Sequence, residues 1–146
     1  MLTGCVRGGV LGWLMDIEDA NIAAAFAAFP AGERAGLMAL RARILAVALA
    51  EGIDVEEALR WGQPAYLAAR GSTIRLGVPK SGGFAVYTHC QTTLISDFRT
   101  LCPELHFEGN RAVHFTVGKP PPATIDMLIR AALTYHHPTE TPPVDA

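Results

Sequence analysis

The hydrophobic period changes at Pro64, and that change constrains the fold of this chain more than any other feature. Before it, Leu37, Leu40, Ile44 and Val47 recur at helical spacing, with Arg34, Arg41 and Arg43 off the stripe. After it, Ala65 to Ala69, Thr73 to Val78 and Phe84 to His89 are short β-prone segments, separated by Arg70-Gly71-Ser72 and Pro79-Lys80-Ser81-Gly82-Gly83. A helical block followed by closely punctuated strands predicts an antiparallel meander rather than βαβ alternation.

The remaining elements follow from local signals. Glu18 to Phe29 is alanine-rich and helix-favouring, and Pro30-Ala31-Gly32 interrupts it. Gly52 suits the left-handed residue that closes the second helix. Asp54-Val55-Glu56-Glu57 has the spacing of a capping box, predicting a short helical turn through Leu59. Thr92 to Leu101 is predicted as a helix stopped by Cys102-Pro103, and Leu105 to Phe107 and Ala112 to Val117 as a hairpin around Gly109-Asn110. After Pro120, Pro121 and Pro122, the stripe Ile125, Leu128, Ile129, Ala132, Leu133 marks a last helix ended by Pro138. The expected fold is α+β, an antiparallel β-sheet packed with N-terminal and C-terminal helices in one domain over 15–138. Met15-Asp16-Ile17-Glu18-Asp19 resembles a natural start, so residues 1–14 are either a start-site extension or part of the native protein; 139–146 are expected to form a mobile tail.

Half of the 146 residues are hydrophobic, enough for one core that buries roughly 70% of the surface the unfolded chain exposes. Twelve basic and fourteen acidic residues give a formal charge of −2, with no run of Lys or Arg to neutralise phosphates, so nucleic acid is not an expected partner. Cys5, Cys90 and Cys102 are odd in number and lack CxxC spacing, which fits a reducing cytoplasm better than a disulfide framework or a zinc module. The apolar run from Gly8 to Met15 is far short of the about 20 residues a spanning helix needs, and Cys5 lacks the apolar segment that precedes a lipoprotein cysteine. No membrane partner is expected.

Leu59-Arg60-Trp61-Gly62-Gln63-Pro64-Ala65-Tyr66 is the segment most suggestive of a site. Gly62 and Pro64 make a bend that a continuing helix does not tolerate, which predicts a helix-to-strand junction carrying the aromatics. Two readings stay open: a pocket wall that stacks a planar or apolar ligand and hydrogen-bonds it through Gln63, or a structural corner whose aromatics plug the end of the sheet. Lys80 lacks the spacing of a phosphate-binding loop and is expected on an exposed hairpin turn. Alternation puts Ala85, Tyr87 and His89 on one face and Phe84, Val86 and Thr88 on the other, so Tyr87 and His89 can act together. The candidate ligand-binding set is Trp61, Gln63, Tyr66, Lys80, Tyr87 and His89.

Catalytic and metal sites are harder to assemble. A two-residue turn at Gly109-Asn110 would send His106 and His114 to opposite faces of their hairpin, whereas a three-residue turn would reverse that. His136 and His137 are adjacent and diverge around a helix end, where they suit the negative end of its dipole. His89 and Cys90 are neighbours on a strand, so their side chains point apart and form neither a zinc pair nor a nucleophile and base. Asp97 stands alone on a helix. No acid, base or nucleophile arrangement is recognisable, and no catalytic residue is assigned.

With these residues in view, the chain resembles the YdhG-like family, the domain-of-unknown-function 1801 group of small bacterial proteins. The resemblance rests on Glu57-Ala58-Leu59-Arg60-Trp61-Gly62-Gln63-Pro64-Ala65-Tyr66, Val78-Pro79-Lys80, Phe84-Ala85-Val86-Tyr87 and the amphipathic closing helix, over roughly residues 18–137. It implies helices against an antiparallel sheet. Some members are linked to iron handling in a frataxin-like manner, which implies an iron site of carboxylates; here only Asp54, Glu56 and Glu57 cluster, with Asp16, Glu18 and Asp19 near the start. The functional expectation is a non-catalytic module binding a small molecule near the Trp61 segment. The alternatives are an intracellular iron-binding chaperone and a protein-interaction domain without a small ligand, as monomer or homodimer.

Overall fold

A computed structural model of the chain describes residues 17–89 and 91–135. The possible extension at 1–14, Cys5, Cys90, His136, His137, Pro138 and the tail from Thr139 lie outside the described residues.

The first helix, α1 (Ala20–Ala28), starts where the Asp19 carboxylate accepts from the backbone N–H groups of Asn21 and Ile22, at 2.8 and 3.2 Å. Such a cap contributes about 1 kcal/mol. Pro30 separates α1 from α2 (Ala31–Glu51). Across that break the Arg34 guanidinium donates to the carbonyls of Phe26, Ala27 and Phe29, satisfying groups the end of α1 leaves unpaired. The predicted stripe is the buried face of α2: Leu37, Leu40, Ile44, Val47 and Ala48. Gly52, with φ 68°, closes the helix as expected.

The predicted helical turn from Asp54 is instead a strand, β1 (Val55–Arg60), paired antiparallel with β2 (Gln63–Ala68). A lone helical turn fixes several backbone angles for one hydrogen bond. A two-residue connection at Trp61-Gly62 lets six residues pair with six, from Val55 opposite Ala68 to Arg60 opposite Gln63. Long-range pairing therefore overrides the capping signal.

β3 (Ile74–Gly77) and β4 (Phe84–Tyr87) complete the meander, α3 (Leu94–Leu101) follows, and β5 (His106–Glu108), β6 (Ala112–Phe115) and α4 (Ile125–Leu133) close the fold. The sheet order is β1-β2-β3-β4-β6-β5, antiparallel throughout. The chain is α+β. No helix among the described residues is long and apolar enough to cross a membrane.

Alternation gives the sheet two unlike faces. Tyr66, Ile74, Leu76, Phe84, Val86 and Val113 join the buried residues of all four helices in one continuous core. Gly36 on α2 is required there, because any side chain on it would collide with the Phe84 ring. On the opposite face, among the described residues, Ala85, Tyr87 and Ala112 form a small buried cluster. That second face carries the candidate site.

Candidate functional site

The β1–β2 hairpin tip sets the site's outer wall. Trp61 and Gly62 have φ 53° and 76°, the paired left-handed conformation of a two-residue hairpin turn. Asn or Gly is the usual first residue of such a turn, whereas a bulky side chain there costs about 1 to 2 kcal/mol. Burial does not offset that cost, since Trp61 is 86% exposed. The predicted helix-to-strand junction is thus a strained hairpin tip, and what its indole meets is the Arg75 guanidinium, 5.2 Å from the ring centroid.

Arg75 is the middle of the site. It stands on β3 opposite Ala65 on one side and Tyr87 on the other, so its side chain shares the open face with Gln63, Tyr87 and Ala112. Its Nη1 donates to Gln63 Oε1 at 2.6 Å, and its guanidinium lies 5.4 Å from the Tyr87 ring centroid. Arg111, in the β5–β6 loop, lies 5.8 Å from the same ring and pairs at 3.4 Å with Glu108. Among the described residues no carboxylate pairs with Arg75 or Arg60. Burial, and then the charge of Arg111, hold the Arg75 guanidinium below its usual pKa. Burial, and then the charge of Glu108, push the Tyr87 phenol up.

These side chains enclose a cleft of about 410 Å³ lined by Arg60, Trp61, Thr73, Arg75, Thr88, His89 and Arg111. Its lining contains three guanidiniums and no carboxylate. An adjoining cleft of about 560 Å³ shares Arg111 and includes Lys80, Tyr87, His106, Glu108 and His114. Of the sequence-predicted residues, Trp61 and His89 line the first cleft, Lys80 and Tyr87 line the second, and Gln63 reaches the first through Arg75. Lys80 is on an exposed hairpin loop, as expected.

Tyr66 does not belong to this set. It is fully buried on the helix face, and its hydroxyl donates to Glu57 Oε2 at 2.6 Å. Its position opposite Glu57, one residue out of phase with Ala65, decides this. The same alternation breaks up the acidic cluster: Glu57 faces inward and holds Arg41 through two hydrogen bonds of 2.6 and 3.0 Å, while Glu56 is exposed on the other face. Asp54 lies beside Glu56 in a separate shallow groove.

The β5–β6 register decides the histidine geometry, which the sequence leaves open between a two-residue and a three-residue turn. Three residues, Gly109, Asn110 and Arg111, join β5 to β6, so His106 sits opposite His114 with ring centroids 5.3 Å apart. His114 Nε2 is 2.7 Å from Glu108 Oε1. Among the described residues no group of three or more His, Cys, Asp or Glu is placed to hold a metal ion.

Arg60, Arg75 and Arg111 are the functional candidates that the sequence signals left aside. Arg75 carried a signal: it is the single charge in Ile74-Arg75-Leu76-Gly77, in phase with Tyr87 across the predicted hairpin. Arg111 had none, because its place depends on the three-residue loop. Comparison of the chain with family models, curated proteins and solved structures finds no match.

Proposed function

We propose that this chain is a non-catalytic small-ligand-binding module, and that its site is the open sheet face between Trp61 and Arg111. One observation carries this reading: Arg75 is a half-buried guanidinium held between two aromatic rings and an amide oxygen, with no carboxylate paired to it among the described residues. A charge taken partly out of water is stabilised by an opposite charge or by dense hydrogen bonding. Here the fold supplies one hydrogen bond and leaves the rest of the fork open to a bound group.

The strained, exposed Trp61 supports the same reading, because backbone strain at a bulky residue concentrates where a side chain is displayed for binding. Among the described residues no nucleophile and base are paired beside it, and the reading offered here is of binding. The family resemblance rests on the same segment, and a YdhG-like identity is part of this proposal.

The test uses Trp61 as its own reporter. Trp13→Phe leaves it the chain's only tryptophan. Titration with phenyl phosphate, benzoate and adenosine should shift Trp61 emission for at least one probe, and Arg75→Ala should abolish the shift. An emission spectrum unmoved by all three contradicts the proposal.

A further inference from the structure

The chemistry of the cleft narrows its ligand. Three guanidiniums line it, and Glu108 pairs with Arg111, leaving about two positive charges without a paired carboxylate among the described residues. Arg75 and Arg111 approach the same Tyr87 ring, so their charges oppose each other across the site, and an anion between them would relieve that opposition. A carboxylate brings one charge; a phosphate monoester brings between 1.5 and 2, roughly, with three acceptor oxygens for guanidinium forks. The exposed indole of Trp61 lines the same cleft, a flat surface suited to stacking a ring.

Resting on the ligand-binding reading above, we propose that this site takes a small phosphate monoester carrying a planar ring, with the phosphate among Arg60, Arg75 and Arg111 and the ring against Trp61. A longer nucleic-acid strand fits less well. Glu56 on β1 and Glu108 on β5 lie on the same sheet face and would repel further phosphates, and the chain as a whole has a formal charge of −2.

The experiment is calorimetric titration of the whole chain with adenosine 5′-monophosphate, phenyl phosphate, adenosine, benzoate and a single-stranded DNA oligomer. The two phosphate monoesters should bind at least tenfold more tightly than adenosine and benzoate. Arg75→Ala should weaken the monophosphate at least tenfold. Arg60→Ala, at an exposed position where folding is not at stake, should weaken it at least threefold. Monophosphate binding no tighter than adenosine or benzoate overturns the phosphate assignment while the small-ligand reading stands; silence from all the small probes removes both. Tighter binding of the oligomer than of the monophosphate also overturns the proposal, in favour of a strand-binding face.

Discussion

The two faces of the sheet treat the same residue type in opposite ways. On the helix face Arg41 is held by both oxygens of Glu57, and Glu57 also accepts from Tyr66, so a buried charge is closed within the fold. On the open face Arg75 has an amide oxygen and two aromatic rings, and after burial the like charge of Arg111 acts on it most strongly. The difference separates groups that hold the fold from groups the fold holds for something else. Removing a member of the first network should cost stability, and removing a member of the second should cost binding.

The largest expected effect is therefore at Glu57. Glu57→Ala leaves the Arg41 charge and the Tyr66 hydroxyl buried without their shared acceptor, and should lower the unfolding free energy by about 3 kcal/mol in urea titration. A cost well under about 1 kcal/mol would erase the contrast between the faces.

Next comes the alkaline limb of stability. Burial first, and then the Glu57 carboxylate, push the Tyr66 phenol far above its ordinary value. Below about pH 10 the phenol is protonated in both folded and unfolded chains, and its contribution is fully present. As pH rises further the unfolded chain releases the proton while the folded one keeps it, so stability falls by about 1.4 kcal/mol per pH unit from this group. Tyr66→Phe should be less stable by about 1 to 2 kcal/mol at neutral pH, and that gap should shrink between pH 10 and 11. A gap independent of pH would show that the phenol is not held this way.

The elements set by local periodicity were legible in the sequence. The α2 stripe, the Gly52 stop and the alternation of Phe84 and Val86 against Ala85 and Tyr87 all stand as read. What failed depended on pairing across the chain. Asp54 to Glu57 satisfies a local capping pattern, yet β2 is available to pair with it, and that pairing turns a helical turn into a strand and Tyr66 into a core residue. One extra residue in the Gly109 loop brings His106 and His114 together and carries Arg111 to the cleft. Trp61, Lys80, Tyr87 and His89 could be singled out from the sequence, and they line two adjoining clefts; the arginines between them could not, because the register decides which of them converge.

A smaller effect, of opposite sign, is expected at the hairpin tip. Trp61→Asn places a residue that tolerates the left-handed conformation at φ 53° and removes little buried area. It should raise stability by about 0.5 to 1 kcal/mol while weakening ligand binding. Lower stability in this variant would mean that the indole supports the fold.

Arg75 separates the two faces most directly, through the smallest change in stability. Arg75→Met keeps much of the side chain's apolar length, removes a charge that burial and Arg111 both disfavour, and breaks the hydrogen bond to Gln63. The measurement is its unfolding free energy in urea against wild type. The expected value lies within about 0.5 kcal/mol of wild type; a loss of about 2 kcal/mol or more would place Arg75 among the groups that hold the fold and contradict a face reserved for a ligand.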